Sequence, residues 1–193
     1  MNKQEKEKAI QALTSGSVVV MPSDTIYGIF VSVYSKSAIE SLYRLRGRDT
    51  KKPCIILCAD INQIQAFVKP LTSAKQNQLA TFLRSSQYKQ KPTTFILHSK
   101  KLSHLSRGTM TLAFRIPGEK TKRSRDLQCI LKKTGPLLAP SANLAGKKPA
   151  QTITEAKKYF GSSVDLYVSH GRKLEAKPSQ IFDLTGSEIR KLR

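Results

Sequence analysis

The pattern of apolar and polar positions divides the chain into short segments of helical and strand period that follow one another closely. A helix is predicted over about residues 4 to 14, ending near Gly16, and "SVVVM" after it reads as a buried strand. "PSDT" then turns the chain, and "IYGIFVSVY" continues as a second β segment. Ser35 or Ser37 offers a cap for the next helix, whose apolar positions Ile39, Leu42, Tyr43 and Leu45 follow helical spacing until Gly47 ends it. After Pro53 the run "CIILCA" predicts a strand, Asp60 starts a helix on Ile61, Ile64, Phe67 and Val68, and another helix follows Pro70 on Leu79, Phe82 and Leu83. "TTFILH" and "TLAFRI" read as strands, with a basic helix on Leu127, Ile130 and Leu131 after them. "PLLAPSAN" reads as a short buried strand ending in a polar turn. A capped helix covers 152 to 160, and "DLYVSH", "QIFDL" and "EIRKL" supply the last β segments.

Strands separated by helices indicate an α/β domain, and the missing helix between "TTFILH" and "TLAFRI" favours a mixed sheet over an all-parallel one. With 193 residues, 39% of them hydrophobic, and neither a low-complexity linker nor a repeat, the expectation is one domain spanning residues 1 to 193. The first residues carry acids and lack an apolar h-region, and no run approaches the roughly 18 apolar residues of a membrane span. These features predict a soluble, cytoplasmic protein with no membrane partner. Cys54, Cys58 and Cys129 form neither an even disulfide framework nor a zinc spacing with His98, His104 and His170, so no metal site is expected. Cys54 and Cys58 read as small core residues.

Charge changes this picture. The chain has 34 Lys and Arg against 13 Asp and Glu, a net +21, which points to a polyanionic partner or to solubility. No basic stretch is interleaved with aromatic stacking platforms and Trp is absent, so the charge argues for attraction to phosphate and not for base reading. It crowds most in "LYRLRGRDTKKP", residues 42 to 53. Arg44 and Arg46 fall in the last helical turn, where cations offset the macrodipole. Arg48, Lys51 and Lys52 lie beyond Gly47, which makes Arg48 and Lys52 the informative pair. P-loop, Rossmann, HExxH and nucleophile-elbow signatures are all missing. Two polar insertions into apolar surroundings remain, each open to a plain turn or a ligand reading: Pro22 to Thr25 within "VVVMPSDTIYGIF", and Ser141 and Asn143 within "LLAPSANLAG".

"PSDTIYG" (22 to 28), "RLRGRDTKKP" (44 to 53), "AFRIP" (113 to 117), "APSANLAG" (139 to 146) and "PSQIFDL" (178 to 184) occur in the order and at about the spacing of the YrdC-like family, which the chain resembles from about residue 8 to Arg190. Members make threonylcarbamoyl-AMP for tRNA modification. The resemblance implies a twisted α/β sheet with a basic concave face, and a nucleotidyltransferase that uses ATP, L-threonine and bicarbonate. It also implies Mg²⁺ carried on the ATP phosphates and handover to downstream threonylcarbamoyl-transfer enzymes, with tRNA or double-stranded RNA as a further partner. The family's K-x-R … S-x-N pattern falls on Arg46, Arg48, Ser141 and Asn143, the implied catalytic set. Arg48, Lys52, Thr111, Ser141 and Arg190 are the implied ATP contacts, and Thr25, Arg115, Ala139 and Ser179 the implied threonine contacts. Arg46 stands where the family has Lys, Lys52 where Asn is common, and Leu57 where longer members have His; "KQKPTTF" (89 to 95) replaces a P-G-P-x-T block. Two other classes fit the same residues: a non-catalytic RNA-binding or ribosome-associated module, and a carbamoyl-transfer domain.

Overall fold

The computed structural model describes residues 1–85, 92–169 and 179–193. Elements follow in the order α1 (Lys3–Thr14), β1 (Val19–Pro22), β2 (Tyr27–Ser32), α2 (Lys36–Arg46), β3 (Ile56–Leu57), α3 (Ile61–Gln65) and α4 (Ser73–Arg84). Then come β4 (Thr93–His98), α5 (Ser103–Ser106), β5 (Thr111–Arg115), α6 (Lys122–Thr134), β6 (Leu137–Leu138), α7 (Ile153–Phe160), β7 (Leu166–Tyr167), β8 (Gln180–Asp183) and β9 (Arg190–Lys191). The strands form one mixed sheet in the order β7-β1-β2-β6-β3-β5-β4-β8-β9. Pairs β7–β1, β3–β5 and β4–β8 are parallel and the other neighbours antiparallel.

Strand alternation sends side chains to two apolar layers. Val18, Val20, Ile29, Val31, Ile56 and Leu138 join the layer packed on α2, α4 and α7, while Val19, Met21, Phe30, Leu57 and Leu137 join the layer packed on α1 and α6. Sheets buried on both faces read as continuous apolar runs, as "SVVVM" and "PLLA" do. Helix ends follow local chemistry. Asn2 and Glu5 form a reciprocal capping box at α1, and the Ser35 side chain accepts from the Ala38 N–H at α2. Gly47 closes α2 at φ 56°, a left-handed value suited to glycine.

Four sequence expectations are revised. The helix begun by Asp60 stops at Gln65, because Phe67 and Val68 are taken by main-chain pairing: Lys69 N–H donates to the His98 carbonyl, Lys100 N–H to that of Phe67, and Val68 bridges Ser99. Only Ile56–Leu57 of "CIILCA" and Arg190–Lys191 of "EIRKL" are strand. Leu166–Tyr167 is the strand within "DLYVSH", whose His170 lies outside the described residues, as do 89 to 91 of the "KQKPTTF" segment. A short helix, α5, does stand between β4 and β5, yet the two strands pair antiparallel. Cys54 and Cys58 are core residues, and burial beside Asp60 pushes the Cys58 thiol up to about 12. Among the described residues no helix is long and apolar enough to cross a membrane.

A cationic cavity at one end of the sheet

The β1–β2 turn, the end of β5, the segment after β6 and the chain around β8 meet at one end of the sheet, around a cavity of about 270 Å³. The turn is built on Ser23, whose Oγ accepts from the N–H groups of Thr25 and Ile26 at 3.1 Å each, while its own N–H donates to the Ile26 carbonyl at 2.8 Å. Thr25 is thereby held at the cavity wall, with its hydroxyl 3.0 Å from Ser23 Oγ. Past β6 the chain runs antiparallel to the start of β2: Ile29 N–H donates to the Pro140 carbonyl, Ala142 N–H to that of Tyr27, and Ser141 faces Gly28. A Cβ at Gly28 would lie 2.7 Å from Cε2 of Phe30 and 3.3 Å from the Pro140 oxygen, so this approach needs glycine.

Arg115, the last residue of β5, contributes a guanidinium that is 6% exposed and stands 3.1 Å from Asp24 Oδ1. Ala139 supplies apolar wall, and its N–H donates to the carbonyl of Ile55, which also lines the cavity. Ser179 comes from the start of β8, with its hydroxyl 3.0 Å from that of Thr94. Five of the residues singled out from sequence, Thr25, Arg115, Ala139, Ser141 and Ser179, therefore share one wall.

Two more connect to it through hydrogen bonds. Ser141 Oγ donates to Asn143 Oδ1 at 2.5 Å, and the buried Arg46 donates Nη2 to the same oxygen at 3.2 Å and Nε to the Asn143 carbonyl at 3.0 Å. Asn143 Nδ2 donates to the carbonyls of Leu144 and Lys147, so this side chain has no spare hydrogen-bonding position. Arg46 Nη1 has no hydrogen-bond partner among the described residues. Burial, reinforced by the Arg48 cation, pulls the Arg46 guanidinium below its usual range, against the opposing influence of Cys54 and Tyr43.

The rest of the cationic loop stands apart from the cavity wall. Arg48 folds back, donating Nε to the Lys52 carbonyl and Nη2 to the Pro53 carbonyl at 3.1 Å each. Lys52 is 72% exposed and lies 3.8 Å from Asp49. Thr111 opens β5, opposite His98, which puts it about 13 Å along the strand from Arg115. Arg190 is also elsewhere: 73% exposed, it pairs with Asp183 at 3.1 Å. The cavity takes Arg193 instead, whose Nε donates to the Ser179 carbonyl at 3.0 Å. Strand period puts residues three apart on opposite faces, but which face turns inward is set by the pairing of β8 with β9. Ser23, from the polar insertion noted in the sequence, also lines the cavity, as do Ile55 and Pro149, which were not singled out.

The fold is thus a mixed α/β sheet buried on both faces, ending in a cavity lined by small hydroxyl residues, the buried Arg115 and Arg193, a lining whose charge is suited to an anion. The comparisons make this specific: a family model described as "Telomere recombination", for Sua5, YciO and YrdC proteins, matches residues 11–193, and the chain belongs to this family. A protein named threonylcarbamoyl-AMP synthase from Nitrosococcus oceani is 30% identical over 186 residues, covering 94% of this chain and 95% of that one. The fold overlays a crystal structure of P. abyssi Sua5 complexed with L-threonine at TM-score 0.82 and 21% identity, covering 100% of this chain and 54% of that one. This chain thus spans little more than half the length of that Sua5. E. coli YciO overlays at TM-score 0.79 and 24% identity, covering 100% of this chain and 89% of that one.

Proposed function

We propose that the chain is a threonylcarbamoyl-AMP synthase, a nucleotidyltransferase that joins L-threonine, bicarbonate or CO2, and ATP into threonylcarbamoyl-AMP and pyrophosphate. The observation that carries this reading is the full-length similarity to a protein named for that activity, in a chain four of whose five family blocks line one cavity. A volume of about 270 Å³ suits an amino acid and leaves the nucleotide to the open side, toward the Arg46 to Lys52 loop.

In this reading Arg115 takes the threonine carboxylate, and Thr25, Ser179 and the Ala139 wall position the rest of the amino acid. The amine bonds to the carbon of CO2 and loses a proton, giving a carbamate. A carbamate oxygen then bonds to the ATP α-phosphorus while the bond from that phosphorus to its bridging oxygen breaks, and pyrophosphate leaves. Such a transfer needs alignment and charge neutralisation, with no covalent nucleophile. Arg46, Arg48, Lys52 and Ser141 serve the phosphates, and Arg193 joins them from the Ser179 side. Among the described residues no group of three His, Cys, Asp or Glu is placed to hold a metal, and Asp24 is paired to Arg115. In this reading Mg²⁺ enters as part of the substrate, on the ATP phosphates. The product serves a downstream threonylcarbamoyl-transfer enzyme acting on tRNA in the cytoplasm, and the +21 charge suits tRNA or double-stranded RNA.

The test supplies MgATP and bicarbonate with and without L-threonine and follows pyrophosphate, with mass spectrometry of the nucleotide product. Threonine-dependent pyrophosphate and a threonylcarbamoyl-AMP mass are expected. Absence of both, or their replacement by turnover of carbamoyl phosphate, would sink the proposal.

A further inference from the structure

The turn between β1 and β2 carries a carboxylate that the proposed reaction does not use. The Asp24 side chain is 6% exposed, and its Oδ1 lies 3.1 Å from Nη2 of Arg115, itself 7% exposed at the side chain. This contact is one of charge without an aligned donor: among the described residues Asp24 Oδ1 receives no hydrogen bond and Arg115 Nε donates none. The turn is fixed from behind, because Arg123 in the first turn of α6 donates Nη2 to the Asp24 carbonyl at 3.0 Å. Arg115 lines the cavity described above, while Asp24 lines a second cavity of about 450 Å³ toward α6. The guanidinium therefore separates the carboxylate from the first cavity, its charge balanced and its donors largely unspent.

That balance dictates what can bind. A ligand that brings only a carboxylate to Arg115 sets two anions against that one buried cation, whereas a ligand that also brings an ammonium adds no net charge beside the Arg115–Asp24 pair; Arg193, the other cation of the wall, is bonded to the Ser179 carbonyl and acts on both ligands alike. We propose that Asp24 makes the cavity selective for zwitterionic amino acids over carboxylates that lack the α-ammonium, and so is a specificity-determining residue acting through Arg115. This rests on Arg115 receiving the amino-acid carboxylate, as proposed above. Across the guanidinium the two carboxylates would stand roughly 6 Å apart, and at an effective dielectric of about 20 their repulsion is worth more than a tenfold change in affinity.

The test is calorimetric binding, with MgATP held constant, of L-threonine and of 3-hydroxybutyrate, its counterpart without the amino group. The protein is used unchanged and as Asp24→Asn and Asp24→Glu. Because both ligands carry the same carboxylate and hydroxyl, their affinity ratio cancels any general damage to the site. The unchanged protein is expected to prefer threonine by at least about tenfold. Asp24→Asn should shrink that preference at least about tenfold, chiefly by tightening 3-hydroxybutyrate, and Asp24→Glu should keep it. Equal affinities in the unchanged protein overturn the proposal without any variant, should Asp24→Asn fail to fold; an undiminished preference in folded Asp24→Asn overturns it as well. If the unchanged protein binds threonine under neither condition, with or without MgATP, the proposed function falls together with this inference.

Discussion

Replacing Asn143 with alanine should cost stability before it costs chemistry. The side chain accepts at Oδ1 from Ser141 Oγ and Arg46 Nη2, and donates from Nδ2 to the carbonyls of Leu144 and Lys147 at 2.8 Å each. Two bonds between neutral groups are worth about 1 kcal/mol each and the one from a cation about 1.5–3 kcal/mol. Ser141 lines the cavity, so its hydroxyl can turn to water and adds little to the loss. Arg46 has no such escape. It is 4% exposed, its Nη1 already lacks a hydrogen-bond partner among the described residues, and only Nε to the Asn143 carbonyl would remain. The expected loss is about 3–5 kcal/mol, a large part of the 5–15 kcal/mol of an ordinary domain and a fall of roughly 6–20 °C in Tm at this chain length.

Urea unfolding at 25 °C, followed by far-UV circular dichroism, measures this directly, with Ser141→Ala as the comparison. The serine variant should lose less than about 1 kcal/mol, since it deletes one donor and leaves Arg46 with all its partners. A loss under about 1 kcal/mol for Asn143→Ala, or equal losses for the two variants, would refute the reasoning that Asn143 organises the buried arginine.

Arg48→Ala should lower threonine-dependent pyrophosphate release by about a hundredfold or more, whereas Arg44→Ala, at an exposed side chain that donates to Ser41 Oγ at 3.1 Å, should change rate little and stability by at most about 0.5 kcal/mol. Steady-state kinetics should show Arg193→Ala raising KM for ATP about tenfold and Arg190→Ala leaving it within about twofold, because Arg193 lines the cavity and Arg190 pairs outward with Asp183. At Asp126, burial alone would raise the carboxyl, but hydrogen bonds from the Met1 ammonium, Lys6 and Lys122 outweigh it and bring the value from 3.8 down to about 2. A depressed folded-state value contributes stability that is present above about pH 4 and is lost as pH falls toward 2, here about 1–2 kcal/mol after screening at the exposed Lys122. Acid titration of the unfolding free energy should show that slope in the unchanged protein and lose it in Asp126→Asn.

Much of the sheet was legible because its strands are short apolar runs bounded by turn residues, and the mixed topology followed from the poor helical signal between "TTFILH" and "TLAFRI". Helix ends were legible where a side chain writes them, as at Ser35 and Gly47. Phe67 and Val68 were not: their apolar spacing continues a helix, but pairing with Ser99 and His98, distant in sequence, decides their conformation. The cavity wall was legible where the family's blocks fall on strand ends, as at Arg115 and Ser141. Arg190 was displaced in favour of Arg193 because register decides which residue of a strand-like tail turns inward, and register belongs to the pairing of β8 with β9.

The loop after α2 is shaped by bonds to neutral carbonyls. A run of cations would splay into water, yet Arg48 is drawn in by the carbonyls of Lys52 and Pro53, and the Tyr43 hydroxyl donates to the same Lys52 carbonyl at 3.0 Å. Gly47, left-handed at φ 56°, makes the return possible by reversing the chain after α2. These acceptors are neutral, and a phosphate oxygen offers the same guanidinium a bond roughly twice as strong. Arg48 thus shapes the loop through bonds weaker than those an anion would offer it, while Arg46, held by Asn143 behind it, fixes the base of the loop. Lys52, largely in solvent and 3.8 Å from Asp49, adds charge to the loop but little to its shape.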